Sequence, residues 1–247
     1  MATPANPLVT RLPNGVTDVN ETNILASFGQ LDPTKYHIFF DDFDILPVTD
    51  GTTPIWTVTA ATTGTAAASS FNNGRLELIT ANTDEDTVQL QSSVTTWRPS
   101  VSKKFWLKAS VNLSSAALTD AFIGLSSLDT TIIAASAFTP TDGIGFFKAA
   151  TDTSWTVYVR KNATTGSTSL ASLGTITDGT FITIGLYYDG DGTMYCMVND
   201  IIVGKIESLS STYWPDGNMS PSIAVGQEGT AGANTTYVDY LFIAAER

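Results

Sequence analysis

The chain has 247 residues, 43% hydrophobic, 10% aromatic and only 15% charged, a balance that excludes a largely disordered chain. Twelve basic residues against 24 acidic ones give a formal charge of −12; a surface of that sign repels phosphate backbones and anionic lipid, which excludes nucleic acid and membrane surfaces as partners. The lone cysteine, Cys196, excludes an intrachain disulfide.

Residues 1–35 read as an extended N-terminal arm, with Pro4, Pro7, Pro13 and Pro33 and few β-patterned residues. The first residues carry neither a basic region nor an apolar run, so no signal peptide is expected, and the protein is expected to be made and used without secretion. Asp18-Val19-Asn20-Glu21 has the spacing of a helix capping box, Ile24, Leu25 and Phe28 then share one helical face, and Gly29 can end the turn. A short helix is therefore expected near residues 19–28, too short to stand alone and in need of its own sandwich or a neighbouring subunit to pack against. Pro4, Pro7, Leu8, Leu12, Ile24, Leu25 and Phe28 are the expected assembly contacts of the arm.

Residues 36–247 read as one domain of about fourteen short strands separated by turn residues. Strands are expected at 36–43 and 55–59, then, after a low-complexity Ala/Thr stretch at 60–70, at 75–80 and 88–93. In 105–113, Phe105, Leu107, Ala109, Val111 and Leu113 alternate with Trp106, Lys108, Ser110 and Asn112, so the second set is expected on a wetter face. Strands at 121–127, 144–148, 155–161 and 168–174 follow. The clearest segment is 181–189, closed by the turn Asp189-Gly190-Asp191-Gly192. It is followed by 194–198, where Cys196 reads as a small buried hydrophobe, the Asn199-Asp200 turn, and strands at 201–206, 222–227 and 237–244. The expected fold class is all-β, an antiparallel two-sheet jelly-roll sandwich with an extended N-terminal arm carrying a short helix.

The order of these features carries a resemblance. Phe40-Asp41-Asp42-Phe43, Asn73-Gly74-Arg75-Leu76-Glu77-Leu78, Phe105-Trp106-Leu107, the strand and turn over 184–192, Val198-Asn199-Asp200 and Tyr237-Val238-Asp239-Tyr240-Leu241 together resemble the concanavalin A-like (lectin/glucanase, laminin-G-like) jelly roll over roughly residues 36–245. The Thr/Ser/Ala-rich, cysteine-poor composition also resembles tailed-bacteriophage virion proteins that carry such domains, capsid decoration proteins among them.

Catalytic groups are sparse. Glucanases of the resembled superfamily carry Glu-x-Asp-x-Glu on one strand, which sets three carboxylates on one face; that spacing does not occur here. Asp84-Glu85-Asp86 is contiguous and so cannot share a face, while of Asp41, Asp42 and Asp44 only the last two do. The single histidine, His37, lacks a Ser or Cys nucleophile context. Asp189 and Asp191 invite a calcium reading but lack the remaining ligands of a loop site. No catalytic residue, metal or cofactor is expected, and the chain is expected not to be an enzyme. Sugar contacts are the remaining chemistry. Of Trp56, Trp97, Trp106, Trp155 and Trp214, Trp106 is expected on the polar face of its strand and Trp214 in a polar loop with Asp216 and Asn218. The expected function is a phage capsid decoration or cement protein at the capsid surface, made in the host cytoplasm. Its expected partners are copies of itself, as a trimer, and a shell protein. A lectin-like module binding surface glycans is the alternative.

Overall fold

The computed structural model describes residues 9–11, 17–19, 34–44, 55–68, 74–93, 95–165 and 173–247. Alternation with a period of two dominates these segments, and the backbone follows it into strands. In chain order they are β1 (Val9–Arg11), β2 (Thr17–Val19), β3 (Tyr36–Asp41), β4 (Trp56–Ala60), β5 (Thr65–Ala68), β6 (Leu76–Ile79), β7 (Thr87–Ser92), β8 (Phe105–Leu113), β9 (Thr119–Ser126) and β10 (Ile133–Ala134). They continue as β11 (Ala137–Phe138), β12 (Gly143–Lys148), β13 (Ser154–Lys161), β14 (Thr164–Thr165), β15 (Leu173–Thr175), β16 (Ile182–Tyr188), β17 (Met194–Val198), β18 (Ile201–Ile206), β19 (Ser220–Gln227) and β20 (Thr235–Glu246).

Two eight-stranded antiparallel sheets form the sandwich. The first runs β14-β13-β12-β9-β19-β7-β4, with β15 also on β13; the second runs β18-β17-β16-β8-β20-β6-β5, with β3 also on β20. β20 pairs β8 along one side and divides its other side between β6, through Thr235–Val238, and β3, through Leu241–Glu246. The core lies between the sheets. Phe105, Leu107, Ala109 and Val111 of β8 and Ile184 and Leu186 of β16 face it from one side, and Ile123, Leu125, Phe146, Trp155 and Val157 from the other. Burying a side chain of this size is worth about 1.5–3 kcal/mol, so the inter-sheet layer is a large contribution to stability.

Fourteen strands fall where the sequence pattern puts them, although only Leu173 and Gly174 of the expected 168–174 strand lie among the described residues, at the start of β15. Six short ones depart from it. The Ala/Thr stretch supplies β5, an edge strand. β1 and β2 form a small hairpin in the arm, so Asp18 and Val19 belong to a strand and not to a helix start. The rest of the expected helix, and Pro4, Pro7, Leu8, Leu12, Ile24, Leu25 and Phe28, lie outside the described residues.

The wetter face expected for β8 is also corrected. Trp106, Ser110 and Asn112 are buried, because β8 lies mid-sheet and its outer face is covered by neighbours. Trp106 sits between Tyr187 of β16 and Ala244 of β20, with the Tyr36 ring edge-on at 5.1 Å. Lys108 alone keeps a polar role, pairing with Asp200 at 2.5 Å.

Candidate functional site

The outer face of the first sheet is where the described residues depart most from a simple sandwich. On β9, β12 and β19, the residues between the core-facing ones are Phe122, Phe147 and Ala224, which lie side by side in the ladder. Over them folds the segment 129–139, whose β10–β11 hairpin contributes Ile132, Ile133 and Phe138 to a second apolar cluster with those three residues. The Phe138 ring packs on Phe122 at 4.4 Å, tilted by 31°, and lies over Gly143, where a Cβ would come within 2.5 Å of it. Glycine at 143 is thus the space that receives the phenyl group.

Buried glutamines bolt the segment down. Gln89 donates through Nε2 to the Asp129 carbonyl at 2.6 Å and accepts from the Ile132 amide at 2.8 Å. Gln91 accepts from the Asp129 amide at 3.0 Å, and its Nε2 serves Ser126, Ser127 and Ser222. Arg160 donates to the Phe138 carbonyl. Both glutamine side-chain amides are thus hydrogen-bonded through oxygen and nitrogen, as buried amides require.

At the tip, a cleft of about 240 Å³ opens between the hairpin and the sheet, with Glu85, Asp120, Ser136, Glu228 and several threonines in its walls. Ser136 Oγ lies 3.1 Å from Asp120 Oδ2 and 2.5 Å from Glu228 Oε1. Burial holds the Asp120 carboxyl above its ordinary value, although the Ala150 amide and Ser136 hydrogen-bond to it. Glu228 raises it further and Lys148 opposes that. Lys148 is fully buried. Its ammonium donates to the carbonyls of Ala116, Thr119 and Ala149, and burial pushes its pKa down to about 8.

Four of the acidic residues singled out in the sequence, Asp41, Asp84, Asp86 and Asp189, accept hydrogen bonds from backbone amides. Asp86 accepts from the amides of Thr62 and Ala81, and Asp84 from that of Gly229. Asp41 takes the Phe43 amide and Trp56 Nε1. Asp189 accepts from the amides of Asp191 and Thr193, shaping its turn. Among the described residues no group of three His, Cys, Asp or Glu is placed to hold a metal ion. His37 stacks on Trp97 at 4.1 Å, and burial and then Arg247 lower its pKa.

The expected sugar contacts divide. Trp106 is buried beneath the outer-face aromatics of the second sheet and presents no surface. Trp214 is also buried rather than exposed: its ring packs at 4.3 Å on Tyr188, and its Nε1 donates to the Pro99 carbonyl at 2.7 Å. It nevertheless floors a cleft of about 430 Å³ with Pro99, Val101 and Pro215, whose rim carries Arg98, Lys161 and Asp216. The Lys161 ammonium, 2.6 Å away, holds the exposed Asp216 carboxyl below its ordinary value. Asn218 is exposed and does not line this cleft. The remaining tryptophans, Trp56, Trp97 and Trp155, are core.

One edge of the second sheet is unusual. β18 pairs only with β17 among the described strands, yet Ile201, Ile202 and Val203 are 68%, 40% and 50% exposed.

The fold is shared with solved structures. The chain is similar to an endo-1,3-β-glucanase from Streptomyces sioyaensis (TM-score 0.58, 12% identity, 88% of this chain and 99% of that one). It is also similar to the Emp47p carbohydrate recognition domain (0.56, 12%, 87% and 98%) and to peanut lectin (0.54, 14%, 85% and 97%). The fold is the concanavalin A-like jelly roll. No protein-family model and no curated protein matches the chain, and at these identities the likeness to lectins and a glucanase is one of fold, which does not carry function. Within this concanavalin A-like frame, the sequence pattern missed the hairpin over the first sheet and buried Lys148. The apolar residues Ile132, Ile133 and Phe138 were the available signal for the hairpin.

Proposed function

We propose that this chain is a non-enzymatic structural protein of a bacteriophage virion, a decoration or cement protein that stands on the capsid shell as a homo-oligomer. The observation that carries the reading is the edge of β18. A sheet edge is a template for another chain, and free monomers guard it with charge, proline or a covering segment. Here Ile201, Ile202 and Val203 stand exposed in succession, which suits an edge covered on assembly. The charge of −12 keeps copies soluble until a shaped contact holds them. In this reading the protein is made in the host cytoplasm and reaches the capsid surface. Its partners are its own copies, as a trimer matching threefold positions of a shell, and the shell protein, tied together by the arm of residues 1–35.

Light scattering of the full chain, of a version beginning at Tyr36 and of Ile202→Lys tests the reading, together with binding of each to particles stripped of the protein. An oligomer that falls to monomers and loses particle binding in either variant supports it. Unchanged mass and unchanged particle binding in both overturn it.

The cleft beside Trp214 favours a second reading, a lectin-like module. Its lining of Arg98, Lys161 and Asp216 beside Pro99, Val101, Trp214 and Pro215 offers hydrogen-bonding and charged groups next to apolar ones, as a sugar site needs. A glycan array at background level removes that reading.

A further inference from the structure

The tip of the hairpin presents a proton-counting problem. Ser136 Oγ is within hydrogen-bond distance of two carboxylates, Asp120 on β9 and Glu228 just after β19. A hydroxyl has one proton to give, and an ionised carboxylate has none. With both acids ionised, one contact is a hydrogen bond and the other sets a hydroxyl lone pair against an anionic oxygen. One proton added to the pair makes both contacts hydrogen bonds: the protonated acid donates to Ser136 Oγ, and Ser136 donates to the other.

The tip also needs holding. Ala134 faces Ala137 across a two-residue loop, and both loop residues, Ala135 and Ser136, have positive φ, 46° and 53°. This is the tight turn that glycine or asparagine takes readily and that alanine and serine adopt at a cost. Within 129–139 the one ionisable residue is Asp129, whose carboxylate accepts from the Thr131 amide at the base of the hairpin, so a pH response of the tip comes from what the tip touches. Those groups are Asp120, Glu228 and Glu85 in the cleft wall, Lys148 acting on Asp120 from β12, and Arg160, which holds the Phe138 carbonyl from β13. Of these only Asp120 and Glu228 bond to the tip itself.

We propose that the hairpin 129–139 is a proton-operated latch: one proton held between Asp120 and Glu228 through Ser136 seats the tip, and its release to solvent as the pH rises frees the tip and opens the cleft beneath. The direction of the Asp120 shift agrees. An acid held above its ordinary value of 3.8 in the closed state favours closure fully below that value and loses the contribution as the pH rises through the raised one.

Hydrogen exchange on the full-length chain between pH 4.5 and 7.5, corrected for the intrinsic pH dependence of exchange, reads the latch directly. Protection of amides 130–139 should fall with rising pH, by at most tenfold per pH unit for one linked proton, while the amides of β8 stay constant. Asp120→Asn and Glu228→Gln each place a permanent donor where the proton would be. At least one of them should keep the tip protected at neutral pH and flatten the dependence, which identifies the acid that carries the proton. Ser136→Ala should give low protection without pH dependence. A wild-type tip whose protection does not vary with pH, or a slope unchanged in both amide variants, overturns the proposal.

Discussion

Replacing Phe138 with alanine tests whether the hairpin is a plug or a loose flap. The side chain is 3% exposed and packs on Phe122 and Tyr158. Deleting a phenyl group so enclosed costs about 3–5 kcal/mol. The glutamine bonds to residues 129 and 132 and the Arg160 bond to the Phe138 carbonyl are to backbone, so they survive, and the lower part of that range is expected. At a urea slope of about 3 kcal/mol per molar, the unfolding midpoint should fall by roughly 1 M.

A second substitution makes the argument sharper. A Cβ at Gly143 would lie 2.5 Å from the Phe138 ring, whereas the next neighbour, the Leu125 carbonyl oxygen, is 3.3 Å away. Gly143→Ala alone should therefore destabilise by about 1–3 kcal/mol through overpacking. In the Phe138→Ala background that clash is gone, Gly143 has no positive φ to relieve, and the same change should be neutral or stabilising by about 0.5 kcal/mol. The double-mutant cycle should thus show a coupling of roughly 2 kcal/mol in the direction of mutual relief. Additivity within about 0.5 kcal/mol would refute the placement of Phe138 over the glycine.

Three further outcomes are expected. Burial pushes the Cys196 thiol up to about 12, so a thiol reagent at pH 8 should leave the folded protein unmodified and react fully in denaturant. Lys148 is held at about 8 in the fold against an ordinary 10.5, so between those values the unfolded chain binds more protons and stability should rise with pH. The rise approaches about 3 kcal/mol for a shift of that size and should appear as the difference between wild type and Lys148→Met in denaturation curves at pH 7.5 and 10. Ile202→Lys should change monomer stability by less than about 0.5 kcal/mol, as an exposed edge position does, while lowering the mass measured by light scattering.

The strands of the sandwich were legible because alternation is a local property. Trp155, Val157 and Val159 declare one face of β13 whatever lies opposite, and the Asn199-Asp200 turn, with both φ angles positive, is written in two residues. What covers the outer faces is a property of distant segments. Trp106 stands among lysine, serine and asparagine and reads as exposed, yet Tyr36, Tyr187 and Ala244 close over it from three other strands. The hairpin escaped for a related reason: β10 and β11 are two residues each, too short to show a period, and only the glycine beneath Phe138 reveals that the segment has a seat. Lys148 shares the core-facing parity of Ile144 and Phe146, and its sequence position gave no sign of the three carbonyls gathered around its ammonium. The arm's expected contacts lie outside the described residues.

These hidden features bear on function more than the strands do. A concanavalin A-like sandwich has two outer faces, and in this chain each is closed from within: one by the aromatic row around Trp106, the other by the hairpin seated through Phe138. Phe40, Ile55 and Leu128 remain exposed singly, and the consecutive exposed apolar run among the described residues lies at an edge, in Ile201, Ile202 and Val203. An edge offers backbone hydrogen bonds in register and suits another polypeptide chain, whereas sugars are taken by concave faces and loop clefts. The assembly reading therefore rests on where the fold leaves its unspent apolar groups, and the glycan reading has to live in the cleft beside Trp214. The two predict losses at different residues. Ile202→Lys should abolish association and spare any glycan signal, and Lys161→Ala, which removes the partner of Asp216, should do the reverse.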